Sequence, residues 1–152
     1  MKDVIETWNI HDRINRYLLD AIDESYFGDI SASKGRSVQE HFAHIHNVRL
    51  MWLKVAAPDL HSMQTKIEKE MQLSRQQLSG YLEESGRAIS DLLEKAFTEG
   101  KVKGFKPHPA AFLGYLISHE SHHRGQLLLA LKQSGHKIDP KVLYGIWEWG
   151  SR

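Results

Sequence analysis

The sequence has 152 residues, of which 41% are aliphatic or aromatic and 26% charged, the make-up of one globular domain spanning residues 1–152. Lys and Arg number 20 and Asp and Glu 19, so the formal net charge is +1, which excludes nucleic-acid binding driven by bulk charge. There is no cysteine, which excludes disulfides, thiolate nucleophiles and Cys-type zinc knots.

The N-terminal stretch MKDVIETWNIHDRINRYLLD carries charges every few residues and lacks the unbroken apolar core of a signal peptide. No apolar run is long enough to span a bilayer, so a cytoplasmic protein without membrane association is expected. The same stretch opens a first predicted helix, from about Asp3 to Phe27. Within it Val4, Trp8, Ile14, Leu18, Ala21 and Ile22 recur at helical spacing. A loop begins at Gly28-Asp29. The second helix starts at Ser37, where Ser37-Val-Gln-Glu40 reads as a capping box. Its apolar positions are Phe42, Ile45, Val48, Trp52 and Val55, and Pro58 ends it. Between Pro58 and Leu73, Met63, Ile67 and Met71 suggest a short helix. The third long helix starts at a second capping box, Ser74-Arg-Gln-Gln77, and runs to Glu99-Gly100. Gly80 and Gly86 inside it permit a close helix approach. Lys101–Lys106 reads as a solvated basic connector. The fourth helix begins near Pro109, suited to a first turn, and stops at Gly135. The tail, with Trp147 and Trp149, forms a short helix packed on the bundle. No strand pattern or repeat is present. The fold class is all-α, a four-helix bundle whose facing side chains can build a site in the core.

Histidine is abundant, at ten residues. On the fourth helix Phe112, Leu116, His119, His123, Leu127 and Ala130 step by three or four and share a face. His119 and His123 therefore lie in the apolar stripe, one turn apart, and can direct two imidazoles at one metal ion. A third ligand is needed, and the second helix offers His41, His44 and His46. His41 and His44 can each turn inward, and periodicity does not choose between them. His46 is expected on the exposed side. His122 lies on the flank of the stripe. Glu120 and Ser121 are expected to face away from it. Arg124 can snorkel to the bundle end or meet an anionic group of a substrate. Gly125 allows a helix approach, and Gln126 is a candidate for orienting a ligand imidazole. There is no Gly-rich phosphate loop and no G-x-S-x-G elbow. Glu-x-x-His occurs once, at Glu120–His123, which disfavours a di-iron site.

Three stretches together, S-V-Q-E-H-F-A-H-I (37–45), L-S-R-Q-Q-L-x-x-Y-L-E-E-S (73–85) and H-E-S-H-H-R-G-Q (119–126), resemble the DinB/YfiT-like superfamily over almost the whole chain. The resemblance implies a bundle connected up-down-down-up, with a short C-terminal helix. It implies one divalent ion, zinc or nickel, held by His44, His119 and His123, which selects His44 over His41. It also implies a homodimer and a metal-dependent S-transferase activity. Such an enzyme joins a low-molecular-weight thiol (bacillithiol, mycothiol or glutathione in characterised relatives) to a small electrophile. A bound divalent ion lowers the pKa of a thiol or of water. Two other readings stand beside it. A metal-dependent hydrolase would use His41 or His122 as general base. A non-catalytic metal-binding stress-response protein would close the site with a fourth ligand.

Overall fold

The computed structural model describes residues 1–152. It contains α1 (Lys2–Asp20), α2 (Val38–Ala56), a short α3 (Pro58–His61), α4 (Arg75–Glu99), α5 (Pro109–Gln133) and a short α6 (Pro140–Gly145), with single 3₁₀ turns at Glu24–Tyr26 and Trp149–Ser151. There are no strands, only an isolated bridge between Val102 and Phe105. No helix is long and apolar enough to cross a membrane.

The helix starts follow their local chemistry. The Ser37 hydroxyl accepts from Glu40 N while Glu40 accepts from Ser37 N, and Ser74 and Gln77 repeat this at α4. Pro109 occupies the first turn of α5, and the His108 ring accepts from Ala111 N. At the end of α4, Gly100 takes a left-handed φ of 72°. The first helix is shorter than its periodicity predicts. It stops at Asp20 because Asp23 caps a separate turn by accepting from Ser25 N, and Arg75 donates to the Ile22 carbonyl. The short helix after α2 lies at Pro58–His61, ahead of the Met63–Met71 stretch that suggested it. Pro58 at its first position starts it there.

Side-chain pairs give the direction of each helix. Moving along α1, Trp8 meets Gly86, Arg16 meets Glu83, and Ile22 meets Arg75, so α1 and α4 are antiparallel. His46 and Arg49 meet Ser85 and Leu82 of α4, while Phe42 lies in the same apolar cluster as Leu78 and Leu53 in the other cluster with Leu92, so α2 and α4 run the same way. His41 pairs with His123, Arg49 with Glu120 and Trp52 with Tyr115, so α2 and α5 are antiparallel. The connection order is up-down-down-up, as the resemblance implied.

The core has two apolar ends and a polar middle. One end gathers Leu18, Ile22, Phe42, Ile45, Leu78, Leu82, Leu127 and Leu131. The other gathers Trp8, Leu53, Ile89, Leu93, Phe112 and Leu116. Between them lie His11, Asp12, Asn15, Arg49, Ser85 and Glu120, all buried. Gly86 makes this level possible. A Cβ there would sit 2.5 Å from the Asp12 carboxylate, and the Gly86 carbonyl accepts from the Trp8 indole at 2.8 Å. Gly80 and Gly125, expected to serve the same purpose, face open space. In the tail, Gly145 packs on Tyr17 while Trp147 is 77% exposed.

Candidate metal centre

The seam between α2 and α5 brings three histidines together beside the polar middle. His44 comes from the second turn of α2, and His119 and His123 from consecutive turns of α5. Each can offer one ring nitrogen, and these nitrogens lie within 4.8 Å of one another. Ring centroids are 4.5 Å apart for His44 and His123, 4.7 Å for His119 and His123, and 5.3 Å for His44 and His119. The two α5 rings converge because residues four apart stand over one another on a helix. His123 is buried, whereas His44 and His119 are partly exposed.

The donor set fits a divalent ion. Burial, then the Arg36 cation and the His119 and His41 rings, lowers the His44 pKa to about 4. Burial, then His44, His119 and His41, lowers that of His123 to about 3. Burial lowers His119 as well, with His122 and Arg36 adding to it while Glu120 opposes. All three rings are therefore neutral near pH 7, the form in which an imidazole nitrogen binds metal. Nδ1 of His119 is buried and has no hydrogen-bond partner. A buried polar atom left so is costly, and an ion bound in the cluster would supply the partner it lacks. Three histidines can thus hold a metal ion here.

His41 stands outside this cluster and behind it. Its Nδ1 is 3.0 Å from Nδ1 of His123, one nitrogen donating and the other accepting. Burial and the Arg36 cation lower its pKa also. His41 therefore does the orienting that the sequence suggested for Gln126, which is exposed on the next turn of α5 and hydrogen-bonds no imidazole. His122 is exposed on the flank, edge-on to His123 at 5.3 Å. On the other side, Tyr115 stacks on His119 at 6.1 Å.

Three expectations are corrected. His46, expected at the surface, is fully buried. The connection after α3 folds over it, so Thr65 O accepts from its Nε2 at 2.8 Å while Nδ1 accepts from the Ser85 hydroxyl at 3.0 Å. Glu120, expected to face away, is buried because α5 packs against both α1 and α2 and so hides two faces. Arg124 reaches neither the bundle end nor the metal cluster. It turns to α1 and donates to Asn15 Oδ1 at 2.6 Å and to the Ser121 hydroxyl at 2.9 Å.

The sequence reasoning missed the polar middle itself. The Arg49 guanidinium donates to both Glu120 oxygens at 2.7 and 2.8 Å, to Asp12 at 2.8 Å and to the Leu82 carbonyl at 2.8 Å. It also lies 5.0 Å over the Trp8 ring. Glu120 further accepts from Asn15 at 2.7 Å and from His11 Nε2 at 2.9 Å. Burial alone would raise the Glu120 pKa, but Arg49 and His11 hold it well below the usual carboxylate range. A signal was present. Phe42, Ile45, Arg49 and Leu53 form one stripe, as do Leu116, Glu120, His123 and Leu127, and a charge inside an apolar stripe marks a buried pair.

A family model described as the DinB family matches residues 1–148. No curated protein matches the chain. The matched span takes in all four long helices and the three clustered histidines, and the chain belongs to the DinB family.

Proposed function

We propose that His44, His119 and His123 hold one divalent ion, zinc or nickel, and that the protein uses it to join a low-molecular-weight thiol to a small electrophile. The observation that carries this reading is the convergence of three neutral imidazoles with an orphaned ring nitrogen among them. Imidazole suits both metals. A divalent ion with three protein ligands supplies Lewis acidity and open positions, which lower the pKa of a thiol toward neutrality. The chain has no cysteine, so the thiol comes from outside. His41 fixes the His123 ring through their hydrogen bond. Tyr115 and Trp52, in edge contact at 5.6 Å, provide an apolar wall on the His119 side for the electrophile.

The hydrolytic reading is less well supported, because its candidate bases are poorly placed: His41 is hydrogen-bonded to His123, and His122 is exposed on the flank of the cluster. The nearby carboxylates are occupied as well. Glu120 is engaged by Arg49, His11 and Asn15, and Glu40 by the cap of α2. The non-catalytic reading needs a fourth ligand, and His41 stands outside the cluster. Conjugation of bacillithiol, glutathione and coenzyme A to monochlorobimane, with and without added metal, tests the proposal. Metal-dependent turnover with one thiol is expected, and its absence with all three would remove the transferase reading.

A further inference from the structure

Three neutral imidazoles bring no charge to a divalent ion. The space beside them adds positive charge instead. The loop before α2 and the outer face of α5 border a solvent-open cavity of about 160 Å³, lined by the exposed Ser33, Lys34, Arg36 and Gln126, by Ser31, and by the buried His41. No carboxylate lines it. His41 is both a wall of this cavity and the hydrogen-bond partner of His123, so the cavity abuts the metal centre. Arg36 also lines the neighbouring opening onto His44, and so stands between the His41 and His44 sides. Neither Lys34 nor Arg36 forms an ion pair, although Glu40 and Glu68 line the neighbouring opening beside Arg36. An ion in the cluster would raise the local positive charge further, and a bound anion is the compensation such a field favours.

We propose that this cavity is an anion subsite, with Arg36 as its charge and the Gln126 amide as its neutral donor, and that the substrate drawn to the metal centre carries a carboxylate. The carboxylate occupies the cavity while the reacting end of the same molecule reaches the histidines. This deepens the metal-dependent reading above and rests on it for the role of the reacting end. The size of the cavity suits a carboxylate with a short stem. Arg is the residue that pairs with a planar carboxylate through two parallel hydrogen bonds.

Two matched probes test the subsite, 3-mercaptopropionate and its neutral amide, 3-mercaptopropionamide. In the metal-free protein, NMR titration with 3-mercaptopropionate should shift the Arg36 Nε–H and the amides of residues 31–36, and the neutral amide should not. Arg36→Gln should abolish that selectivity. Absence of selective shifts in the wild type, or their survival in Arg36→Gln, would overturn the subsite. In the cobalt-loaded protein, the thiolate-to-cobalt absorption band reports the reacting end. The acid should bind about tenfold more tightly than the amide, roughly one charge-assisted hydrogen bond. Arg36→Gln should remove the difference and leave the amide's affinity unchanged. Equal loss for both probes would overturn the subsite. Cobalt uptake without a thiolate band from either probe would sink the thiol reading alone, because the NMR titration judges the anion subsite independently.

Discussion

Replacing Glu120 with Gln keeps the volume and removes one charge from the buried middle of the bundle. The wild-type carboxylate accepts from four donors, Arg49 Nε, an Arg49 Nη, Asn15 Nδ2 and His11 Nε2. A Gln side chain accepts through one oxygen only, and its amide N–H₂ would face donors. Arg49 would be left with Asp12, which Arg16 also engages at 3.1 Å. Breaking a buried pair by removing one partner costs about 3–5 kcal/mol, and the surviving Asp12 contact places this case near 3 kcal/mol. For a domain of this size that is a fall in Tm of about 6–12 °C. Urea unfolding at pH 7 with a chelator present measures it without metal linkage. A loss below about 1 kcal/mol would refute the view that the Arg49–Glu120 pair is tightly coupled and dry.

Loss of the His41 ring in His41→Ala should weaken metal binding by about 10–100-fold while leaving one site per chain, as removal of an orienting partner does; competition with a chromophoric chelator reads it. Gly86→Ala should destabilise, because a Cβ 2.5 Å from Asp12 costs about 1–3 kcal/mol in overpacking. That outweighs the gain of about 1 kcal/mol in helix propensity, whereas Gly80→Ala, facing open space, should keep the gain. Thermal melts of the pair check the contrast. The metal-free protein should lose stability as pH falls below about 6.5. The unfolded chain takes up protons there, while the folded His44 and His123 stay neutral down to about 4 and about 3. Chemical denaturation from pH 7 to pH 4 should show the decline, and a flat profile would contradict it.

Much of the fold was legible because its signals are local. Ser37 with Glu40, Ser74 with Gln77, and Pro109 each fix a helix start through atoms within one turn. The His119–His123 pair was legible for the same reason. What escaped depends on neighbours remote in sequence. His46 reads as exposed until the chain around Thr65 folds over it. Glu120 reads as exposed if α5 has one buried face, and it has two. Arg124 lies beside the histidine stripe, yet its position is decided by Asn15 on α1. Periodicity left His41 and His44 equivalent, and the structure separates them by what each imidazole meets. His44 meets two rings at once, and His41 meets one ring edge through a hydrogen bond.

Metal stoichiometry and affinity of the purified chain beside His44→Ala bear most directly on the three-histidine centre. His122→Ala serves as a control, since its ring is exposed on the same turn of α5. The wild type and His122→Ala should each bind one divalent ion per chain with equal affinity, and His44→Ala should lose it. Unchanged binding in His44→Ala would contradict the assignment.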